Sequence, residues 1–272
     1  MSRHSFIEST LRGFSRAFSN ALASEHVANQ PGLLQQFDPR VRVIGMLALV
    51  IAVVICRRLA VITALLLLAM VIAIASRVSL ASLAKRVWLV VLGFTGIIAL
   101  PALFTVPGKP IWSVPALSLT ISAQGLRSCV LLVLRVETAV TLTTVLVLAT
   151  PWMHILKALR SFHLPADAVT MLAMTHRYVF LLIETANQMF ESRESRMVGV
   201  MSASAQRRVA ARTAGLLLSK SVELSHEVYL AMLSRGFRGD VRLLTGFRMK
   251  FYDYAALSAF LFAGGAAAWM GR

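Results

Sequence analysis

The sequence predicts an all-α polytopic membrane protein: about five transmembrane helices and a cytoplasmic region of long crossed amphipathic helices. Three observations predict this. Hydrophobic residues make up 57% of the 272, and the mean hydropathy is +0.72, too apolar for a soluble domain of that length. Lys and Arg number 28 against 12 Asp and Glu, a formal charge of +16, and in an apolar chain such an excess marks the cytoplasmic loops. The apolar pattern also changes character after Pro151, where polar residues begin to recur at helical steps.

The first segment, residues 1–37, lacks the continuous apolar core of a signal peptide. Instead Ile7, Leu11, Phe14, Phe18 and Leu22 follow one helix face, with Arg3, Arg12 and Arg16 on the remaining surface. That pattern suits a helix in the membrane interface, and equally one packed on a bundle. Pro31-Gly32 marks a turn. Asp38-Pro39 then opens a helix with a capping carboxylate and a proline at its first position.

Residues 38–150 are read as four spans. Val43 to Cys56 and Leu59 to Ala75 form a helical hairpin interrupted by Arg57-Arg58. Arg77, Lys85 and Arg86 form a basic loop before a third span from Val87 to about Val106. Pro107 to Thr120, rich in proline and short apolar stretches, reads as an irregular or strand-like outer loop with Trp112 at headgroup level. The fourth span runs from about Leu126 to Leu148 and carries Arg135 and Glu137 near its middle. Ionisable groups at that depth are costly, so both should face protein, either on a substrate or proton path or in a contact locking this helix to a neighbour.

Residues 151–250 are read as the cytoplasmic region. Thr150-Pro151 opens a short amphipathic helix through Trp152, Ile155, Leu156 and Leu159, ended by Pro165. From Ala166 to Val198, Arg177, Glu184, Gln188, Glu191 and Ser195 make a polar line opposite Leu172, Val179, Leu182, Ala186 and Met189. A break from Gly199 to Arg208 precedes a second such helix, about Val209 to Phe237, ended by Gly236 and Gly239. The two should cross through their apolar lines. The last segment, 251–272, is a span from Phe251 to Met270 with aromatic anchors at both ends.

The basic loops place the amino terminus and the 151–250 region in the cytoplasm, with the bilayer as the first partner. Nucleic acid is not an expected partner, because no soluble domain gathers the cations into a binding surface. Cys56 and Cys129 have no metal-site spacing, and His4, His26, His154, His163, His176 and His226 form no ligand cluster. No metal site, phosphate loop, HExxH or GxSxG is present, so no catalytic residues and no bound cofactor are expected.

Three stretches carry a family resemblance: Pro31-Gly32-Leu33-Leu34 with Phe37-Asp38-Pro39-Arg40, Met174-Thr175-His176-Arg177-Tyr178, and Glu223 to Phe237. Together they resemble the transmembrane T component of energy-coupling factor (ECF) transporters, the EcfT/CbiQ family, over nearly the whole chain. Members end two coupling helices in Ala-Arg-Gly-like motifs, each arginine docking on one of two cytoplasmic ABC-type ATPases. Here Ser234-Arg235-Gly236 matches well, and Ser195-Arg196-Met197 matches in its arginine, with Met197 where glycine is usual and Arg193 the competing counterpart. His176, Arg177, Glu184 and Glu227 would support the coupling helices. The resemblance implies a non-catalytic subunit, with ATP on the partner ATPases and a substrate-capturing S-type membrane subunit as third partner. Cobalt or nickel is the favoured cargo, a vitamin such as biotin or riboflavin the next. An intramembrane enzyme built on Arg135, Glu137 and a histidine, or a scaffold for another soluble protein, are the rival classes.

Overall fold

The computed structural model describes residues 32–78, 83, 88–105, 110–114, 119–162, 164–196, 202–237 and 249–272. The expected interfacial helix at residues 7–22, the loop cations Lys85 and Arg86, and Gly239 lie outside them, as do Met197 and the basic residues Arg238, Arg242 and Arg248. The chain divides into two units, with boundaries at Glu25/His26, Ala158/Leu159 and Gly246/Phe247.

The first unit is a helical bundle. After the single turn α1 (Leu33–Gln36), α2 (Pro39–Ile55) starts at Asp38, whose carboxylate accepts the Arg40 amide at 2.9 Å. Proline at N1 has no amide left over, so this start is doubly specified. The chain turns at Cys56 to Arg58 into α3 (Leu59–Ala75), as the hairpin reading expected. Next is α4 (Leu89–Thr105), whose Pro101 removes one amide from the ladder. The segment expected to be strand-like contributes a small antiparallel hairpin, β1 (Pro110–Val114) and β2 (Leu119–Ser122), pairing Trp112 with Ile121 and Val114 with Leu119.

Ser122 then caps α5 (Ala123–Ala149), its hydroxyl accepting the Gly125 amide at 2.9 Å. The helix therefore begins three residues before the expected Leu126, because a serine cap outweighs the polarity of Gln124. α5 packs against α2, α3 and α4, and α9 (Phe251–Met270) lies along α2. Small residues allow that last approach. A Cβ at Gly45 would run into the Phe260 ring, and Gly264 sits against the backbone of Ala48.

The bundle core is aliphatic, with Leu49, Val53, Ile62, Leu142 and Val145 almost fully buried. Its outside is equally apolar: Leu89, Val90, Phe94 and Ile97 on α4, Leu67 and Val71 on α3, and Phe262 on α9 are exposed. An apolar exterior over an apolar core is the surface of a protein solvated by lipid.

The second unit contains α7 (Ala166–Glu194) and α8 (Ala203–Ser234), reached through α6 (Trp152–Ser161), which carries the chain over the unit boundary. α8 starts six residues before the expected Val209. Ser202 is its cap, accepting the Ala205 amide at 3.4 Å, and the small residues read as a break are instead helix-forming alanines within the first turns. α7 correspondingly ends at Glu194 rather than Val198. By length and composition, α5 and residues 166–193 of α7 are sufficient to cross a membrane.

Candidate functional site: two helix ends and a buried cluster

The ends of α7 and α8 are built alike. Ser195 Oγ donates to the Ser192 carbonyl at 3.0 Å and Ser234 Oγ to the Ala231 carbonyl at 2.9 Å. Each serine thus satisfies a last-turn carbonyl that the helix leaves without an amide. The Arg196 amide then bonds Arg193 O, and the Arg235 amide bonds Met232 O, both at 3.1 Å. In both, the main chain tightens at the arginine.

Past Arg235 the backbone reverses. Gly236 takes φ +80°, its amide donating to Leu233 O at 2.9 Å and that of Phe237 to Met232 O at 3.0 Å. These are the paired bonds of a Schellman ending, in which glycine occupies the left-handed position without steric cost. At α7 the same point falls on Met197, beyond the described residues.

Both arginines are exposed, and neither guanidinium has a partner among the described residues. Each guanidinium therefore projects five donors in a rigid fork at the end of a long helix, free to grip a carboxylate or several carbonyls of another molecule. Arg193, the competing counterpart, is half-buried in the last turn of α7.

The predicted supporting residues lie apart from these ends. His176 stacks edge-on against Phe180, with ring centroids 5.0 Å apart, and the Arg177 guanidinium is 5.8 Å from the Tyr178 ring centre. Exposed Glu184 precedes Arg196 by twelve positions, about 18 Å of helix. Glu227 is also exposed and, behind the 3.1 Å partner Glu223, contributes to raising the pKa of Lys220. Between the first half of α7 and the second half of α8 runs an apolar groove of about 600 Å³, lined by Met174, Tyr178, Leu182, Leu224, Val228 and Met232 among others.

A second constellation, in the bundle, escaped the sequence reading. Asp38, Arg42 and Asp253 are all buried. Asp253 accepts the Asp38 amide on one carboxylate oxygen and the Lys250 amide on the other, each at 2.8 Å, so one side chain caps both α2 and α9. Arg42 donates to Phe37 O at 2.9 Å, Gln35 O at 2.7 Å and Ala149 O at 3.3 Å. The last of these is the final residue of α5. Available signals were an arginine four residues after the capping Asp38 and an acidic residue at the third position of the last span.

Of the two ionisable residues inside α5, Arg135 donates to Cys56 O at the end of α2, at 2.6 Å. That is the locking contact, and it places a cation at a helix carboxyl end, where the dipole favours it. Glu137 is buried, and both its carboxylate oxygens lack a hydrogen-bond partner in the structure. No group of three or more His, Cys, Asp or Glu among the described residues could hold a metal ion.

Comparison with known proteins bears on the whole arrangement. An uncharacterised protein of Methanocaldococcus jannaschii is 29% identical over 231 residues, 83% of this chain and 78% of that one. The cobalt transport protein CbiQ of Rhodobacter capsulatus is 25% identical over 125 residues, 46% of this chain and 51% of its own length. The family model of the cobalt transport protein CbiQ matches residues 32–245. That match runs from the turn before the Asp38 cap to beyond the Ser234-Arg235-Gly236 ending, and the chain belongs to the CbiQ cobalt transport protein family.

Proposed function

We propose that this chain is the coupling subunit of an ECF-type ABC importer, a multi-pass protein of the cell inner membrane whose α7–α8 unit faces the cytoplasm. Arg196 and Arg235 each dock on one of two ABC-type ATPase subunits. ATP bound by those partners draws them together, the coupling helices move, and a substrate-binding S-type membrane subunit releases its cargo inward. The chain itself binds no cofactor and catalyses nothing. Cobalt or nickel ion is the cargo, as the name of the Rhodobacter capsulatus cobalt transport protein suggests for cobalt.

The observation that carries this reading is the matched pair of helix ends: the same serine bond, the same tightened turn, and an unspent exposed arginine on each. One such end would be an ordinary dipole interaction worth about 0.3–1 kcal/mol. Two of the same construction suit a partner with two equivalent sites. The polar line on α7 also favours a helix lying at the membrane face over one crossing it.

Affinity capture from native membranes tests this, with Arg196→Glu/Arg235→Glu beside the wild type. ATP-hydrolysing subunits should accompany the wild type and be lost from the double variant while the chain still inserts. Equal capture by both would remove the docking role.

A further inference from the structure

The buried cluster stands where the chain changes units. On the way out, α5 ends at Ala149, held by Arg42, and α6 leads to the boundary at Ala158/Leu159. On the way back the boundary is Gly246/Phe247, and the Lys250 amide is already held by Asp253. Asp253 also holds the Asp38 amide. Arg42 further binds the carbonyls of Gln35 and Phe37, and Gln35 Nε2 reaches Ser76 O, just past α3, at 3.2 Å. The ends of α2, α3, α5 and α9 on this side of the bundle are thus tied, directly or through one residue, to three buried charged groups.

Burying charge is an expensive way to cap helices, and serine or asparagine would serve each cap singly. What this arrangement adds is rigidity. Arg42 uses a planar fork on three carbonyls from two separate segments, and Asp253 uses both oxygens on two helix starts, one 215 residues away from it in sequence and the other three.

We propose that Asp38, Arg42 and Asp253 form a clamp that fixes two of the points where the chain passes between the bundle and the α7–α8 unit, those at Ala158/Leu159 and Gly246/Phe247. Motion of that unit is thereby delivered to the ends of α5 and α9 together instead of being absorbed at a loose crossing. The three are positioning residues and touch no substrate. The delivery of motion rests on the coupling role proposed above, whereas the clamp itself is a property of this chain alone.

Hydrogen–deuterium exchange on the purified full chain in lipid nanodiscs separates the two. Asp253→Asn and Arg42→Lys each weaken the clamp, and Leu49→Ala, in the aliphatic core, serves as a destabilised control. The clamp variants should exchange about tenfold faster or more at residues 150–158 and 249–254, as loss of a charge-assisted bond implies, with the middles of α3 and α5 unchanged. Leu49→Ala should instead loosen the bundle generally. Unchanged exchange at both crossings, or a uniform rise like that of the control, would overturn the clamp. In cells supplied with cobalt(II) as the probe, the clamp variants should capture wild-type amounts of ATPase yet accumulate less cobalt per ATP hydrolysed. Full uptake with loosened crossings would overturn the delivery of motion. If the wild type captures no ATPase, the coupling role falls, and the exchange pattern still decides the clamp.

Discussion

Gly236 offers the sharpest test of how the α8 ending presents Arg235. Its φ of +80° lies in the left-handed region, yet a Cβ built there would meet nothing within 4 Å. Substitution therefore costs conformation and not space. For an L-residue forced into that region the cost is about 1–2 kcal/mol, a factor of about 5–30 against the native ending. Asparagine tolerates the conformation better than alanine, and a β-branched residue tolerates it least. The expected order of loss is Gly236→Asn, then Gly236→Ala, then Gly236→Val. Exchange at the Gly236 and Phe237 amides, which bond Leu233 O and Met232 O, reads the ending directly. ATPase capture from membranes should fall in the same order, because an unwound ending no longer aims the arginine. Equal amide protection in the asparagine and alanine variants would refute the reasoning, since they differ here in left-handed tolerance and not in contact.

Two further predictions come from buried groups. Glu137→Met replaces a carboxylate whose oxygens have no partner in the structure with an apolar side chain of similar length. It should stabilise the chain by about 1–3 kcal/mol, the usual cost of an unsatisfied buried polar group. A lower thermal midpoint in detergent would count against this. His154 of α6 has its pKa lowered from 6.5, first by burial and then by the positive charges of Arg42 and Lys157, with Asp38 opposing. The unfolded chain binds that proton more readily, so this stability is fully present above about pH 6.5 and declines as the pH drops through the window down to the lowered folded value. Thermal midpoints of wild type and His154→Gln should converge or cross only in that acidic window, and a parallel pair of curves would dismiss the histidine.

The helix starts show what a sequence can disclose. Asp38-Pro39 announces α2 because cap and proline are adjacent, and Arg57-Arg58 announces the hairpin because two charges stop an apolar run. Ser202 is as good a cap as Asp38, but it stands among small and polar residues that also compose loops, so α8 was expected to start too late. The endings of α7 and α8 were legible as Ser-Arg steps. Their shared serine-to-carbonyl bonds were not, because they depend on the rotamer chosen in the last turn. The clamp was less legible still: Asp253 and Asp38 are 215 residues apart, and periodicity says which face of a helix is buried without saying what meets it.

The arginines divide by what their donors meet. Arg42 and Arg135 end on backbone carbonyls where helices stop, satisfying groups that lipid cannot. Their work is finished within the fold. Arg196 and Arg235 also stand at helix ends, but serine hydroxyls and tightened turns have already taken up last-turn carbonyls, leaving both guanidiniums exposed with nothing among the described residues to bind. A helix end that is already satisfied does not need a cation as its cap. Among the described residues the local chemistry thus gives these two arginines no internal task, and it is this surplus, duplicated on two helices, that points outward to a partner.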